Sequence, residues 1–330
     1  MKNGARSKLK ALTRQNEFVL IILIVALCII LQNVNQGFFT VINFRTMSRG
    51  FAIKGFALIG MAFLLITGMF DMSIGSVMVL SGFIFTSLVS KNNMNVNLAL
   101  LIALAGGVGV GLINGLMVTK LRVNAFITTL STMTIFRGLV LSITQGNPMR
   151  CADRDFSNLS KATIYGWPVM LFVFLATIIV LDIFLRNVRW FRQLYFIGGN
   201  EYSAGLTGIN VSKMRVILFV ISGLLAALSG CLSASRLQAC VPTSYGGDAM
   251  QLMVACVIGG CSFNGGRGTL FGSILGLLFL TLLDNGMVMM GINIYWFNTV
   301  LGLFLIAVVF INTLSASSME RRKIKEMKQE

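Results

Sequence analysis

Apolar stretches of 16 to 22 residues recur along the whole chain, and this feature restricts its fold more than any other. Each is long enough to cross a hydrocarbon core of about 30 Å as a helix. One crossing would be an anchor. Many crossings with little between them leave no room for a soluble domain. The pattern predicts an all-α polytopic membrane protein with about ten transmembrane helices, near 18–36, 55–70, 74–90, 98–119, 124–144, 166–186, 213–235, 249–261, 269–290 and 294–313. The second, third and eighth are short, as the broken helices that line transport pathways often are. Only Asp71–Ser73 separates the second from the third, and residues 40–54 could lengthen the second.

Composition agrees with a membrane protein. Hydrophobic residues make up 56 % of the chain and charged residues 12 %, against roughly 45–50 % and 25 % in soluble domains. The net charge of +16 would suggest nucleic acid in a soluble protein. Here the charges fall in loops and tails, and no stretch interleaves basic residues with aromatics, so no nucleic-acid partner is expected. With the N-terminus inside, the inside segments hold 18 basic residues and the outside segments 8. The bias predicts both termini in the cytoplasm. Residues 1–17 and 314–330 then read as basic cytoplasmic tails around a membrane domain over 18–313. No small-residue cleavage site follows the first apolar run, so the first helix is expected to stay in the mature protein.

Several kinds of chemistry are disfavoured. The six cysteines form no Cys-x-x-Cys pair and histidine is absent, which argues against a zinc site or a histidine-based triad. No catalytic residue and no metal are expected. No Gly-x-x-x-x-Gly-Lys-[Ser/Thr] loop occurs. If transport is driven by ATP, another polypeptide must hydrolyse it.

Other features concern packing and loops. Gly107, Gly111 and Gly115 form a stripe that lets a neighbouring backbone approach closely, and Gly272 and Gly276 repeat the spacing. The longest outside loop, 145–165, reads as a solvated connector or a docking surface. The inside loop at about 187–212 contains Gly198-Gly199-Asn200-Glu201 and then Ala204, Gly208 and Ile209. Asn200 suits an N-cap, Glu201 a first turn and Gly208 a helix stop. A short surface helix between two glycine-marked turns is predicted there.

That segment resembles the cytoplasmic loop of ribose-, xylose-, arabinose- and galactoside-type bacterial ABC permeases, which reads roughly Gly-Gly-Asn-x-x-Ala-x-x-x-Gly-Ile. Asp71-Met72-Ser73-Ile74-Gly75-Ser76 resembles the family's Asp-Leu-Ser-Val-Gly-Ser motif. Residues 126–138, with Thr129, Thr132 and Arg137, are similar to its Phe-Ile-x-Thr-Leu-x-Thr-Met-x-x-x-Arg-Gly run. Residues 258–272 resemble its glycine-rich segment, and Asp284-Asn285-Gly286 and Trp296 fall where it has Asn-Asn-Gly and a tryptophan. The likeness covers about residues 40–312. Three positions depart from it: Asn124 replaces a common proline, and Ala249 and Gln251 replace common acids, with Asp248 alongside.

The resemblance implies a permease subunit in the bacterial inner membrane that carries a sugar or sugar-like solute. A second permease subunit, identical or not, would pair with it in the lipid bilayer. Separate ABC ATPase subunits would bind ATP and Mg and dock on the 187–212 loop, and a periplasmic binding protein would deliver the sugar. Asp71, Ser73, Thr129, Thr132, Arg137, Asn285 and Trp296 are the translocation-path candidates. Asp71 reads either as a functional intramembrane charge or as a helix cap. Arg137 reads as a partner of an acid, a sugar contact or a snorkelling cation. The rival is a secondary transporter coupled to an ion gradient, against which the scarcity of ionisable residues within the spans counts.

Overall fold

A computed structural model describes residues 2–293 and 295–306. Among these residues eight helices are long and apolar enough to span a membrane. They are the Glu17–Val34 part of α1 (Lys2–Val34), α2 (Val41–Ile66), α3 (Ile74–Asn92), α4 (Val96–Thr119), α5 (Ala125–Thr144), α7 (Val169–Asn187), α10 (Val211–Leu237) and α12 (Leu270–Met289). α11 (Asp248–Ile258) is too short to cross alone, and α13 is described over Tyr295–Ile306. Three helices lie in connections: α6 (Arg154–Lys161), α8 (Arg189–Gly199) and α9 (Glu201–Leu206). The architecture is all-α and polytopic. The end of the tenth expected span and the C-terminal tail lie outside the described residues.

Two expected boundaries differ. The second span is not short: α2 begins at Val41, capped by the Thr40 hydroxyl, and takes in 41–54. Asn43, Arg45, Arg49 and Lys54 hid that stretch from a hydropathy reading. The eighth expected span, 249–261, is only the 11-residue α11, about 16 Å long at 1.5 Å per residue.

α10 is the hub and packs along α4, α3 and α2. Gly223 and Gly230 let the neighbouring backbones in: a Cβ at Gly223 would lie 3.1 Å from Gly111 Cα, and one at Gly230 2.7 Å from Met78 Cα. Gly107, Gly111 and Gly115 of α4 face α10 along the same seam, while Gly272 and Gly276 of α12 face Gly259 and Ala255 at the end of α11. Burial separates core from periphery: 83 % of the most apolar window of α2 is buried, against 11 % for α1. The leucines, isoleucines and valines exposed on α1, α5 and α7 make an apolar outer face of the kind lipid solvates.

One end of the bundle gathers Gly68–Phe70, the α4–α5 connection, α8, α9 and the glycine-rich 259–268 segment. The opposite end carries the 145–168 connection. That segment is structured rather than plainly solvated. Asp153 caps α6 through Phe156 N–H, Phe156 stacks on Phe85 with ring centroids 4.6 Å apart, and Met149–Arg150 (β1) pairs antiparallel with Ala239–Cys240 (β4). Thr163–Ile164 (β2) and Trp167–Pro168 (β3) form a hairpin whose turn residues, Tyr165 and Gly166, both have positive φ.

Candidate functional site

Polar side chains gather at three depths. The first lies inside the bundle. Asp71 is buried and accepts hydrogen bonds from Ser73 N–H (2.9 Å), Ser73 Oγ (2.5 Å) and Ser222 Oγ (3.0 Å), while Asn114 Nδ2 donates to Ser73 Oγ at 2.9 Å. Ser222 lies against Gly60. At 1.5 Å per residue, Gly60 is about 9 Å and Ser222 roughly 16 Å from the ends of their helices. Asp71 therefore stands inside the bundle, set back from the helix ends, and it also closes the turn into α3. Of the two readings of this residue, the geometry is that of a turn-closing group, bonded to Ser73 just before α3 rather than capping the helix directly.

A second irregular segment reaches this layer from the far side. Residues 241–247 descend between α3, α5 and α10, and a Cβ on Gly75 would overlap the Tyr245 carbonyl oxygen. Tyr245 and Ser233 share a hydrogen bond between hydroxyls. Arg137 of α5 donates to the carbonyl oxygens of Thr243 at 3.0 Å and Ser244 at 3.4 Å. Its partners are backbone carbonyls and not the acid that an ion pair would require. Irregular backbone at membrane depth persists only where protein or a wet cavity covers it. Thr129 and Thr132 are buried, with hydroxyls bonded back to the carbonyls of Ala125 and Thr128. Trp296 is exposed on α13 and belongs to none of these groups.

The second site is a cavity of about 240 Å³ nearer the 145–168 end. Lys54 and Asp284 line it with Gln251, Asn285, Arg236 and Gly50. Lys54 Nζ lies 3.3 Å from Asp248 Oδ2 and donates to Gln251 Oε1 at 2.7 Å. Asn285 exchanges two amide hydrogen bonds with Asn43, at 2.8 and 3.0 Å. Of these, the motifs singled out only Asn285 as a path candidate. The sequence signal for the rest was the presence of Arg45, Arg49, Lys54 and Arg236 on the side that should be poor in cations.

The third site is the α8–α9 end. α9 occupies the place predicted for the surface helix. Asn200 caps it through Ser203 N–H at 2.9 Å, and Gly208 ends it with a φ of +83° that only glycine adopts readily. Ala204 is buried, whereas Tyr202 and Leu206 stand 76 % and 74 % exposed. Ile209 N–H returns to the Ala204 carbonyl. The expected turn at Gly198-Gly199 is instead the last turn of α8. There Gly198 fits against the Ile66 carbonyl and the backbone of Gly266. A cavity of about 510 Å³ opens beside α9, lined by Phe70, Arg122, Asn124, Phe126, Glu201 and Arg215.

A polytopic helical bundle with a short helix, irregular segments meeting inside it and a braced surface helix at one end has the architecture a membrane permease needs. The chain belongs to the family described as the branched-chain amino acid transport system / permease component, whose model matches residues 43–309. It is 33 % identical to the ribose import permease protein RbsC of Bacillus subtilis over 288 residues, 87 % of this chain and 89 % of that one. It is 34 % identical to the L-arabinose transport system permease protein AraH of Escherichia coli K12 over 298 residues, 89 % and 88 % of the two chains. The ribose import permease of the same strain is 31 % identical over 304 residues, 89 % and 92 %. No solved structure matches the chain. Helical spans of this kind belong to the cytoplasmic membrane, since outer-membrane spans are β-barrels.

Proposed function

We propose that this chain is the membrane-spanning permease of an ATP-driven importer for a sugar or sugar-like solute. One observation carries the reading. α9 is a six-residue helix capped at both ends and tied to α10 by the Glu201–Arg215 pair, yet it presents Tyr202 and Leu206 to solvent. A connector has no need of a rigid helix with exposed apolar side chains. A surface that must transmit a push does, because rigid-body motion needs a braced contact.

In this reading two ATPase subunits holding ATP and Mg dock beneath a pair of permease subunits through α9, and a periplasmic binding protein delivers the solute to the opposite end. The family description names branched-chain amino acids, whereas the relatives cited carry ribose and arabinose in their names. The lining of the 240 Å³ cavity favours the sugar, because Lys54, Gln251, Asp284 and Asn285 offer hydrogen bonds to hydroxyls and a poor surface to an aliphatic side chain. The test is purification of the tagged chain in mild detergent with mass spectrometry of what accompanies it. A stoichiometric ATPase with a phosphate-binding loop, weakened by Glu201→Ala and Leu206→Ala, is the expected result. Uptake that persists without ATP while an ion gradient remains would favour the secondary transporter.

A further inference from the structure

Four of the basic residues on the side expected to be poor in cations cluster near the 240 Å³ cavity: Lys54 and Arg236 line it, Arg49 precedes the lining Gly50 on α2, and Arg45 stands one turn further along that helix. All four are half-buried. Only Lys54 has an acid within 4 Å among the described residues, Asp248. Arg45 and Arg49 are one helical turn apart on α2 and so share a face. The Arg236 guanidinium reaches across from α10 to lie over Gly50, where a Cβ would come within 3.0 Å of it, and it feels the charge of Arg49. The Arg45 guanidinium lies over Gly166 and 5.9 Å from the Trp167 ring centre. The Nε atoms of Arg45 and Arg49 are buried without a hydrogen-bond partner among the described residues.

Two guanidiniums drawn together beside a concave pocket, Arg49 and Arg236, with the Arg49 Nε donor unspent, repel one another until an anion joins them. Their planar, forked donors match carboxylate and phosphate, and a cleft of one charge concentrates an oppositely charged solute. The other wall carries the complementary groups, since Gln251, Asp284 and Asn285 suit hydroxyls.

Resting on the importer reading above, we propose that this cavity is a solute subsite for a polyhydroxylated molecule bearing one anionic group, a sugar acid or a sugar phosphate. Arg49 and Arg236 hold the anion, and the amide and carboxylate wall holds the hydroxyls. Arg45, one turn away on the same face of α2, adds to the positive field.

The experiment uses the full-length chain in nanodiscs, titrated separately with D-ribonate, D-ribose 5-phosphate, D-ribose, inorganic phosphate and L-leucine. Tryptophan fluorescence reports binding, because Trp167 lies beside Arg45, and thermal unfolding is followed in parallel. The expected result is a saturable response to D-ribonate or D-ribose 5-phosphate, at a concentration at least tenfold below any response to D-ribose. Arg49→Gln and Arg236→Gln each weaken that binding tenfold or more while unliganded stability holds or rises, since like-charge repulsion is relieved. Lys91→Gln, on an exposed residue of α3, leaves it unchanged. Should a glutamine variant fail to fold, Arg236→Lys keeps the charge but loses the fork, and a several-fold weakening is expected. D-Ribose as effective as its acid, inorganic phosphate as effective as the sugar phosphate, or no saturable response at all overturns the subsite and leaves the importer reading standing. A preference for L-leucine overturns both the subsite and the choice of sugar. Loss of the co-purifying ATPase bears on the importer reading alone.

Discussion

Arg215 of α10 donates two parallel hydrogen bonds to Glu201 of α9, Nη1 to Oε1 at 2.7 Å and Nη2 to Oε2 at 2.8 Å. The fork fixes the direction of α9 as well as its distance from the bundle. Glu201 is more than half exposed, so the pair adds little stability, under about 1 kcal/mol. Its loss should therefore appear in coupling before it appears in folding. Glu201→Gln is expected to leave the unfolding temperature within about two degrees and to lower ATP-dependent uptake several-fold. The exchange Glu201→Arg with Arg215→Glu should recover part of the uptake. Transport and thermal unfolding measured on the same preparations check this, and a parallel fall in both would assign the pair to stability instead.

Asp71 predicts the opposite pattern. Three donors end on its two carboxylate oxygens, which are buried inside the bundle. Asp71→Ala orphans Ser73 N–H and the hydroxyls of Ser73 and Ser222. Each buried orphan costs about 1–3 kcal/mol, so at least about 3 kcal/mol is expected in total. Asp71→Asn keeps one oxygen and should cost less. Folded yield and chemical unfolding in mild detergent read the order wild type, Asn, Ala. An Ala variant as stable as wild type would show that the network does not hold the α2–α3 turn.

How far the molecule could be read from its residues depends on whether a signal is local. Length and hydropathy reveal a span wherever charges are sparse, as in α4 and α12. They lose the first half of α2, where Arg45 and Arg49 are half-buried against the protein and Lys54 lines a cavity. α9 was legible because its cap and stop lie eight residues apart, at Asn200 and Gly208. α8 was not, because paired glycines read as a turn, while their role at 198 is to admit a backbone 132 residues earlier in the chain. Asp71 stands out from sequence as a charge among apolar residues. Its partners, Asn114 and Ser222, carry no mark that would link them to it. The cavity is the extreme case: Lys54, Arg236, Asp248, Gln251 and Asp284 come from four helices, and only the fold brings them together.

The α4–α10 seam offers a test with an internal control. A Cβ on Gly107 would collide with Ala227 Cβ and the Gly223 carbonyl oxygen, whereas one on Gly109 meets nothing within 4 Å. Both residues are helical, so alanine raises intrinsic helix propensity equally at each. Gly109→Ala should be neutral or slightly stabilising. Gly107→Ala forces the seam apart and should cost about 1–3 kcal/mol. The difference between the two unfolding curves isolates packing from propensity, and equal curves would mean that α4 can shift without penalty.

The last turn of α8 allows the same comparison at the end of the bundle where coupling is proposed. Gly198 and Gly199 are adjacent and both helical, yet a Cβ on Gly198 would overlap the Ile66 carbonyl oxygen and one on Gly199 meets nothing within 4 Å. The Ile66 carbonyl also accepts Gly266 N–H at 2.9 Å, so α2, α8 and the glycine-rich segment close on one point. Gly198→Ala must push α8 away from that point and carry α9 with it. The expected outcome is loss of most ATP-dependent uptake, with a lowered unfolding temperature, while Gly199→Ala retains both. Protease sensitivity at the exposed Arg192 gives an independent reading, because α8 loosened from Ile66 should be cut faster. Equal uptake and equal cleavage in the two variants would mean that the contact at Ile66 does not set the position of α9.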